Sequence, residues 1–367
     1  MRKESIALTS IRGFAALWVV GLHFDLNMGL VGYKLWPGLV HYGYAGVDIF
    51  FILSGFILTT VYRGLEWRGV GRFLTRRAFR IYPMHWAVIA GMLLIWVDAY
   101  LRFGVHNQEQ QLRWLPVFSL MLQPLIYHRL MWNAVSWSVG IEVICYILFP
   151  IAIMRLRVAP IWVLAGVIVA LAGLEHHIQI YDLYVWGDGA VARGLVGFGL
   201  GMALRLLSEK IADPSRLVAS VIELIALGCI VVAASIGQGP YIPLFAGLLI
   251  VALSWESGIV AWALNARWCF WLGRISYSVY LTHEEMIGLV WPHFPATRLP
   301  FSHRVDGIVW TLMVLGLVLA LSTVTWYCIE EPFRKLGGWL GRRVEERPVA
   351  RLADSASLIR PTSRGAV

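Results

Sequence analysis

The sequence predicts an all-α protein: a polytopic membrane helix bundle of about ten transmembrane helices, with both termini in the cytoplasm. Three observations predict it: the composition, the recurrence of long apolar runs, and the placement of the basic residues between them. Of the 367 residues, 59% are hydrophobic and only 14% are charged, whereas about a quarter of the residues of a soluble domain are charged. The 18 Trp, 16 Phe and 14 Tyr residues suit the aromatic belts at the two faces of a bilayer. This composition excludes a soluble enzyme.

The apolar runs that are long enough to cross a bilayer are interpreted as helices, because lipid offers no other partner for backbone polar groups. The predicted spans are residues 8–30, 42–61, 81–101, 134–154, 159–174, 190–207, 217–236, 242–256, 271–291 and 306–328. The run WLPVFSLMLQPLIY near 114–127 is short and contains a proline towards each end. We therefore interpret it as re-entrant or interfacial rather than as a further span.

Most of the 31 Lys and Arg residues fall on one side of this arrangement when the N-terminus lies inside. Because cytoplasmic loops are enriched in Lys and Arg, both termini are placed there. The formal charge of +9 is thus interpreted as orientation charge, and no nucleic-acid partner is expected. Residues 1–340 are expected to form one membrane domain, and residues 341–367, which contain Arg, Ser and Pro, a disordered cytoplasmic tail. The four cysteines show no metal-binding spacing, so no metal is expected.

Ionisable residues inside the spans are costly and indicate function. Arg12 and His23 are eleven residues apart, which places both on one face of the first helix, about 16 Å from each other. Asp48, Glu142 and His283 come from three other spans and reach similar depths. One shared polar cavity explains these residues more economically than separate structural hydrogen bonds, which are the alternative.

The loop between the second and third spans has six Arg and no Lys between positions 63 and 80. Forked, bidentate recognition of phosphates prefers Arg, whereas orientation in the membrane is indifferent between Arg and Lys. The loop therefore predicts a phosphate-binding mouth. Contact with anionic lipid headgroups is the alternative.

These segments together resemble the acyltransferase family 3, the integral-membrane O-acyltransferases that modify cell-surface polysaccharides, lipo-oligosaccharides and some small metabolites. The resemblance covers residues 6–335 and follows the family's order. Its motifs are Arg-x10-His at 12–23, GVDIFFILSGF at 46–56, RRAFRIYP at 76–83, WSVGIE at 137–142, GRISYSVYLTH at 273–283 and EEPFRK at 330–335. Gly140 stands where the family frequently has a second small polar residue.

The resemblance implies an O-acetyltransferase in which acetyl-CoA, the usual donor, binds on the cytoplasmic side and a saccharide or glycolipid hydroxyl accepts the acyl group. It also implies an integral protein of the bacterial inner membrane, surrounded by membrane lipids. The residues then expected to bind the donor are Arg12, Arg76, Arg77, Arg80 and Arg274, together with Ser54.

The buried groups are expected to move the proton. His23 is the expected general base, because neutral imidazole accepts a proton near pH 7. Glu142 or Asp48 would orient that imidazole. His283 is the second candidate for the base, with tautomer fixing or acceptor binding as its rival role. The serines that stay open as carriers of an enzyme-bound ester are Ser54, Ser138, Ser276 and Ser278.

Carboxylates and histidines at membrane depth also suit a proton-coupled transporter or flippase of a saccharide or lipid-linked saccharide, which is the alternative function. Against it, the sequence has no paired broken helices in two matching halves, and its arginine cluster lies at one mouth only.

Overall fold

The computed structural model describes residues 5–28, 37–104, 112–126, 132–156, 166, 188–290 and 303–357. Within these ranges all regular structure is helical and no strand occurs, which confirms the all-α prediction. The α-helices are α1 Ile6–Met28, α2 Pro37–His41, α3 Ala45–Tyr62, α4 Val70–Phe103, α5 Leu115–Ser119, α6 Gln123–Ile126, α7 Ser136–Leu156, α8 Asp188–Ser208, α9 Arg216–Ser235, α10 Ile242–Ser254, α11 Ile259–Leu264, α12 Arg267–Val290, α13 His303–Thr325 and α14 Glu331–Ser357.

Within the described ranges, seven helical stretches are long and apolar enough to cross a membrane, judged by length and composition. They are Ile6–Leu26, Gly38–Tyr62, Trp67–Phe103, Ser136–Arg155, Gly189–Ser208, Arg216–Ser235 and Ile308–Val344. Each coincides with a predicted span.

The other three predicted spans have different outcomes. Of the span predicted at 242–256, residues 242–254 lie in a shorter apolar helix, Gly239–Ser254. Residues 271–291 correspond to α12, which is 24 residues long but rich in Ser, Tyr, His and Glu. Residues 159–174 lie outside the described residues, apart from residue 166. The count of about ten spans and the cytoplasmic location of both termini therefore stay predictions.

The described part of the run near 114–127 contains the two short α-helices α5 and α6, neither of which is long enough to span a bilayer. Three side chains of α4 attach this segment to the bundle. The hydroxyl of Tyr82 and ring N–H groups of His85 and Trp86 donate to the main-chain carbonyls of residues 118–120 at 2.8–3.3 Å. These bonds fix the segment beside α4.

The same segment explains the glycine in WSVGIE. A Cβ at Gly140 would lie 2.6 Å from the carbonyl oxygen of Met121, which is closer than real Cβ contacts allow. A serine or threonine at position 140 has no room here. The departure from the family pattern therefore follows from the close approach of the segment to α7.

The helices that surround the site pack in two close pairs, α1 with α12 and α3 with α8. In the second pair a Cβ at Gly201 would collide with the main chain at Ile52, so the backbones of α3 and α8 are nearly in contact. Small residues permit such an approach between membrane helices.

The C-terminal end of the described chain is helical. A π-helical turn, Trp326–Glu330, joins α13 to α14. Glu331 then pairs with Arg334 and Lys335 at helical spacing, which favours a helix at this point. The helix continues through residues 341–357, for which the composition predicts disorder, while residues 358–367 lie outside the described residues. The domain boundary at 340 stays a prediction.

Candidate active site

A cavity lies between α1, α3, α4, α7 and α12. Its walls combine apolar side chains with guanidinium, hydroxyl and carboxyl groups. The polar residues that line it are Arg12, Ser54, Arg77, Arg80, Ser138, Glu142, Tyr146, Tyr277 and Tyr280. Five separate helices thus contribute chemistry to one space, which we call the inner cavity.

The structure divides the five predicted donor-binding arginines into two groups. Arg12, Arg77 and Arg80 line the inner cavity. Arg76 instead packs beside α14, and the exposed Arg274 places its guanidinium 4.1 Å from the ring centroid of Trp326. One face of α4 therefore carries Arg77 and Arg80, and Arg12 reaches the same cavity from α1.

Arg77 is surrounded by aromatic rings. Its guanidinium carbon lies 5.8–5.9 Å from the ring centroids of Tyr62, Phe73 and Tyr146. Its Nε is buried and has no hydrogen-bond partner among the described residues. A buried donor without a partner is costly, so this N–H indicates a place for an acceptor oxygen of a ligand.

Glu142 joins two hydroxyl groups at the edge of the inner cavity. The hydroxyl of Ser54 donates to its Oε1 at 2.7 Å, and that of Tyr146 donates to the same oxygen at 2.5 Å. Tyr146 was not singled out in the sequence, although it stands one helical turn after Glu142 and so shares its face. The hydrogen bonds of Glu142 do not run to a histidine, so this geometry gives no support to its orienting an imidazole.

His23 and His283 face each other from the parallel helices α1 and α12. The Nε2 of His283 lies 3.3 Å from the Nδ1 of His23, and the ring centroids are 4.8 Å apart. His283 is fully buried and His23 is half-buried. The sequence placed the two residues at similar depths, and the structure brings their rings together.

The main chain sets the tautomers of this pair. Nδ1 of His283 lies 2.8 Å from the carbonyl oxygen of Tyr280, so it carries the proton and leaves Nε2 as an acceptor. Nδ1 of His23 lies 2.9 Å from the carbonyl oxygen of Val19 and faces that acceptor, so it too carries the proton. The Nε2 of a neutral His23 then has the lone pair that a general base needs.

Tyr280 connects the histidine pair with the inner cavity. Its ring lines the cavity and lies 5.9 Å from the ring of His283. Its hydroxyl lies 2.7 Å from that of Ser138 and donates to the carbonyl of Val135 at 3.1 Å. One aromatic side chain thus separates the two groups of polar residues.

Asp48 is not brought to the histidines. Both of its carboxylate oxygens accept hydrogen bonds from Arg193 of α8 at 2.7 Å, and the pair is almost completely buried. Arg193 also donates to the carbonyl of Tyr44. The sequence reasoning missed Arg193, although a charged residue inside a predicted span is the signal that selected Asp48. This bidentate pair joins α3 to α8.

Glu330 carries a buried carboxylate, like Asp48, but the sequence reasoning did not single it out. It accepts a hydrogen bond from Ser278 at 2.8 Å and lies within electrostatic range of Arg12 and Arg80. Its position in the π-helical turn agrees with the frequent occurrence of such turns at functional sites. The motif EEPFRK was the signal available for it.

Among the described residues, no group of three or more His, Cys, Asp or Glu side chains is arranged to bind a metal ion.

Comparison with known proteins gives relatives that are acyltransferases. The chain is 25% identical to the "Putative peptidoglycan O-acetyltransferase YrhL" of Bacillus subtilis, over 90% of this chain and 55% of that protein. It is 25% identical to the O-acetyltransferase OatA of Staphylococcus aureus, over 86% of this chain and 57% of that protein. It is 30% identical to the acyltransferase MdmB of Streptomyces mycarofaciens, over 45% of this chain and 44% of that protein.

The chain spans about half the length of these curated relatives. No solved structure matches it. A family model described as an acyltransferase domain matches residues 5–327, which is most of the chain. The motif-based prediction is therefore confirmed: the protein belongs to this family of acyltransferases.

Proposed function

We propose that the protein is an integral-membrane O-acetyltransferase that moves an acetyl group from cytoplasmic acetyl-CoA to a hydroxyl group of a cell-surface or lipid-linked saccharide. The acceptor class comprises exopolysaccharides, O-antigens and nodulation-factor-type oligosaccharides. The observation that carries the proposal is the inner cavity, where three arginines stand beside Ser54 and Glu142 and a histidine pair lies across Tyr280. The name of the relative YrhL, which specifies peptidoglycan, supports a polysaccharide acceptor.

The donor end of the proposed reaction is the arginine cluster. Arg12, Arg77 and Arg80 offer forked N–H donors around one space, and the Nε of Arg77 has no partner among the described residues. Phosphate oxygens of an acyl-CoA are acceptors of matching charge and geometry. The site residues therefore fit the anionic part of the proposed donor.

The acceptor end is the histidine pair. An acceptor hydroxyl is a poor nucleophile until its proton leaves, and Nε2 of His23 carries the lone pair that takes this proton. The acceptor nitrogen of His283, together with the carbonyl of Val19, fixes the tautomer of His23, which is the role that a carboxylate fills in catalytic triads. In this proposal His23 is the base and His283 the positioning residue. The protein then works in the bacterial inner membrane, between a cytoplasmic donor and an outward-facing acceptor.

The experiment is a transfer assay with the purified full chain in detergent. Radiolabelled acetyl-CoA and a panel of oligosaccharides are supplied without any membrane or ion gradient. Acetylated oligosaccharide and free CoA are expected in equal amounts. Gradient-driven movement of a saccharide in proteoliposomes, with no label transferred to any member of the panel, would refute the proposal in favour of a transporter or flippase.

A further inference from the structure

One serine hydroxyl in the inner cavity differs from the others in its hydrogen-bond acceptor, which is a carboxylate. Ser54 is half-buried, lines the cavity and donates its hydrogen bond to Glu142 at 2.7 Å. Ser138 lines the same cavity, but its hydroxyl meets Tyr280 and the carbonyl of Val135. Within the described part of the chain, Ser54 is thus the cavity serine with a carboxylate as its acceptor.

Another serine with a carboxylate partner is excluded by its position. Ser278 donates to Glu330 at 2.8 Å, but it is fully buried and does not line the cavity. Ser276 is buried too, and its hydroxyl has no partner among the described residues. Accessibility and an adjacent base are both required of a serine nucleophile.

We infer that Ser54 is a covalent nucleophile that carries the acyl group between donor and acceptor, with Glu142 as its base. The inference rests on the proposed function, because it assigns the acyl-CoA to the inner cavity. It predicts a reaction in two half-steps, in which the enzyme is acylated before the acceptor reacts.

In the first half-step the Oγ of Ser54 bonds to the carbonyl carbon of the thioester and the carbon–sulfur bond breaks. The Oγ proton passes to Glu142 and from there to the departing thiolate, which leaves as free CoA. In the second half-step the acceptor oxygen bonds to the acyl carbon and the bond to Ser54 breaks. His23 takes the proton of the acceptor hydroxyl and releases it to solvent, while the departing Oγ of Ser54 takes one proton from solvent through Glu142. The two transfers balance, and the enzyme returns to its starting state.

Tyr146 completes the arrangement. Its hydroxyl donates to the same carboxylate oxygen as Ser54 and lies 3.4 Å from the hydroxyl of Ser54. This second donor fixes the carboxylate of Glu142 so that its Oε1 faces Ser54. Tyr146 is accordingly a positioning residue for the first half-step.

The test is to trap the ester. The full chain in detergent is mixed with radiolabelled acetyl-CoA and no acceptor, quenched in acid and digested for mass spectrometry. We expect about one acetyl group per chain, on the peptide that contains Ser54. Ser54→Ala should lose this label. Ser278→Ala, which removes a serine with a carboxylate partner that does not line the cavity, should keep it.

Two further variants keep the result interpretable if Ser54→Ala fails to fold. Ser54→Cys should form a thioester, which neutral hydroxylamine cleaves while leaving the serine ester in place. Glu142→Gln retains Ser54 but cannot take its proton, so its rate of labelling should fall at least tenfold. Monodisperse elution in size-exclusion chromatography confirms that each variant is folded.

The outcomes separate this inference from the proposed function. Acetylated oligosaccharide without any label on Ser54, together with normal turnover of Ser54→Ala, would overturn the inference and leave a direct transfer. Label on another residue would also overturn it. Absence of both the ester and the acetylated product would count against the proposed function itself.

Discussion

Arg77→Lys tests whether the inner cavity binds the phosphates of an acyl-CoA. The substitution keeps the positive charge, and with it the orientation of the loop in the membrane. It removes the fork of N–H donors, including the Nε that has no partner among the described residues. The matched control is Arg76→Lys, because Arg76 is the next residue along the chain and packs beside α14 instead of lining the cavity.

The expected magnitude follows from the number of hydrogen bonds lost. A hydrogen bond to a charged group contributes about 1.5–3 kcal/mol, and lysine at this position replaces a two-bond contact by one bond. The loss of one bond at the lower end of that range weakens donor binding about tenfold. The rings of Tyr62, Phe73 and Tyr146 flank the guanidinium of Arg77 at 5.8–5.9 Å.

The assay is the apparent KM for acetyl-CoA at saturating acceptor, with reporter fusions to confirm that the loop between α3 and α4 keeps its side of the membrane. We expect Arg77→Lys to raise this KM about tenfold and Arg76→Lys to leave it near the wild-type value. Equal KM values for both variants and the wild type would refute the reasoning. The arginines would then serve as orientation signals or lipid contacts, each contributing about 1 kcal/mol through its charge alone.

Three further substitutions test the remaining parts of the site. His23→Ala removes the proposed base and should lower the transfer rate about 100- to 10,000-fold at normal expression; near-normal turnover would assign the base elsewhere. Gly140→Ser places a Cβ 2.6 Å from a main-chain carbonyl oxygen, so the purified variant should have a lower Tm. An unchanged Tm would show that the neighbouring short helices move aside at no cost in stability. Asp48→Asn leaves Arg193 buried without its charged partner, which typically costs about 3–5 kcal/mol. We expect a lower Tm with an unchanged donor KM, and a raised donor KM at an unchanged Tm would contradict this structural role of Asp48.

Helical periodicity and depth predicted part of the site. The spacing of Arg12 and His23 placed both on one face of α1, and the position of His283 in its span brought it to the depth of His23, where the structure has the two rings in contact. These inferences use only the rise and period of a helix, which are nearly constant. They need no knowledge of the neighbouring helices.

Depth alone did not predict which groups pair. Asp48 and Glu142 were expected near the histidines, but they bond to Arg193 and to Ser54. The rotation and tilt of each helix decide its partners, and both depend on close backbone contacts such as that at Gly201. The low mean hydropathy of α12 also depends on its neighbours. A helix that lines a polar site is shielded from lipid by the helices around it, so it can carry polar residues.

The attachment of residues 118–120 to α4 has a consequence for how this protein can diversify. All three acceptors are main-chain carbonyls, which every amino acid provides, whereas the donors are the side chains of Tyr82, His85 and Trp86. Replacing Ser119 or the exposed Leu120 therefore leaves the attachment in place, while replacing a donor removes a bond. Substitutions at these acceptor positions can therefore change the side chains of this segment while its hydrogen bonds to α4 are kept.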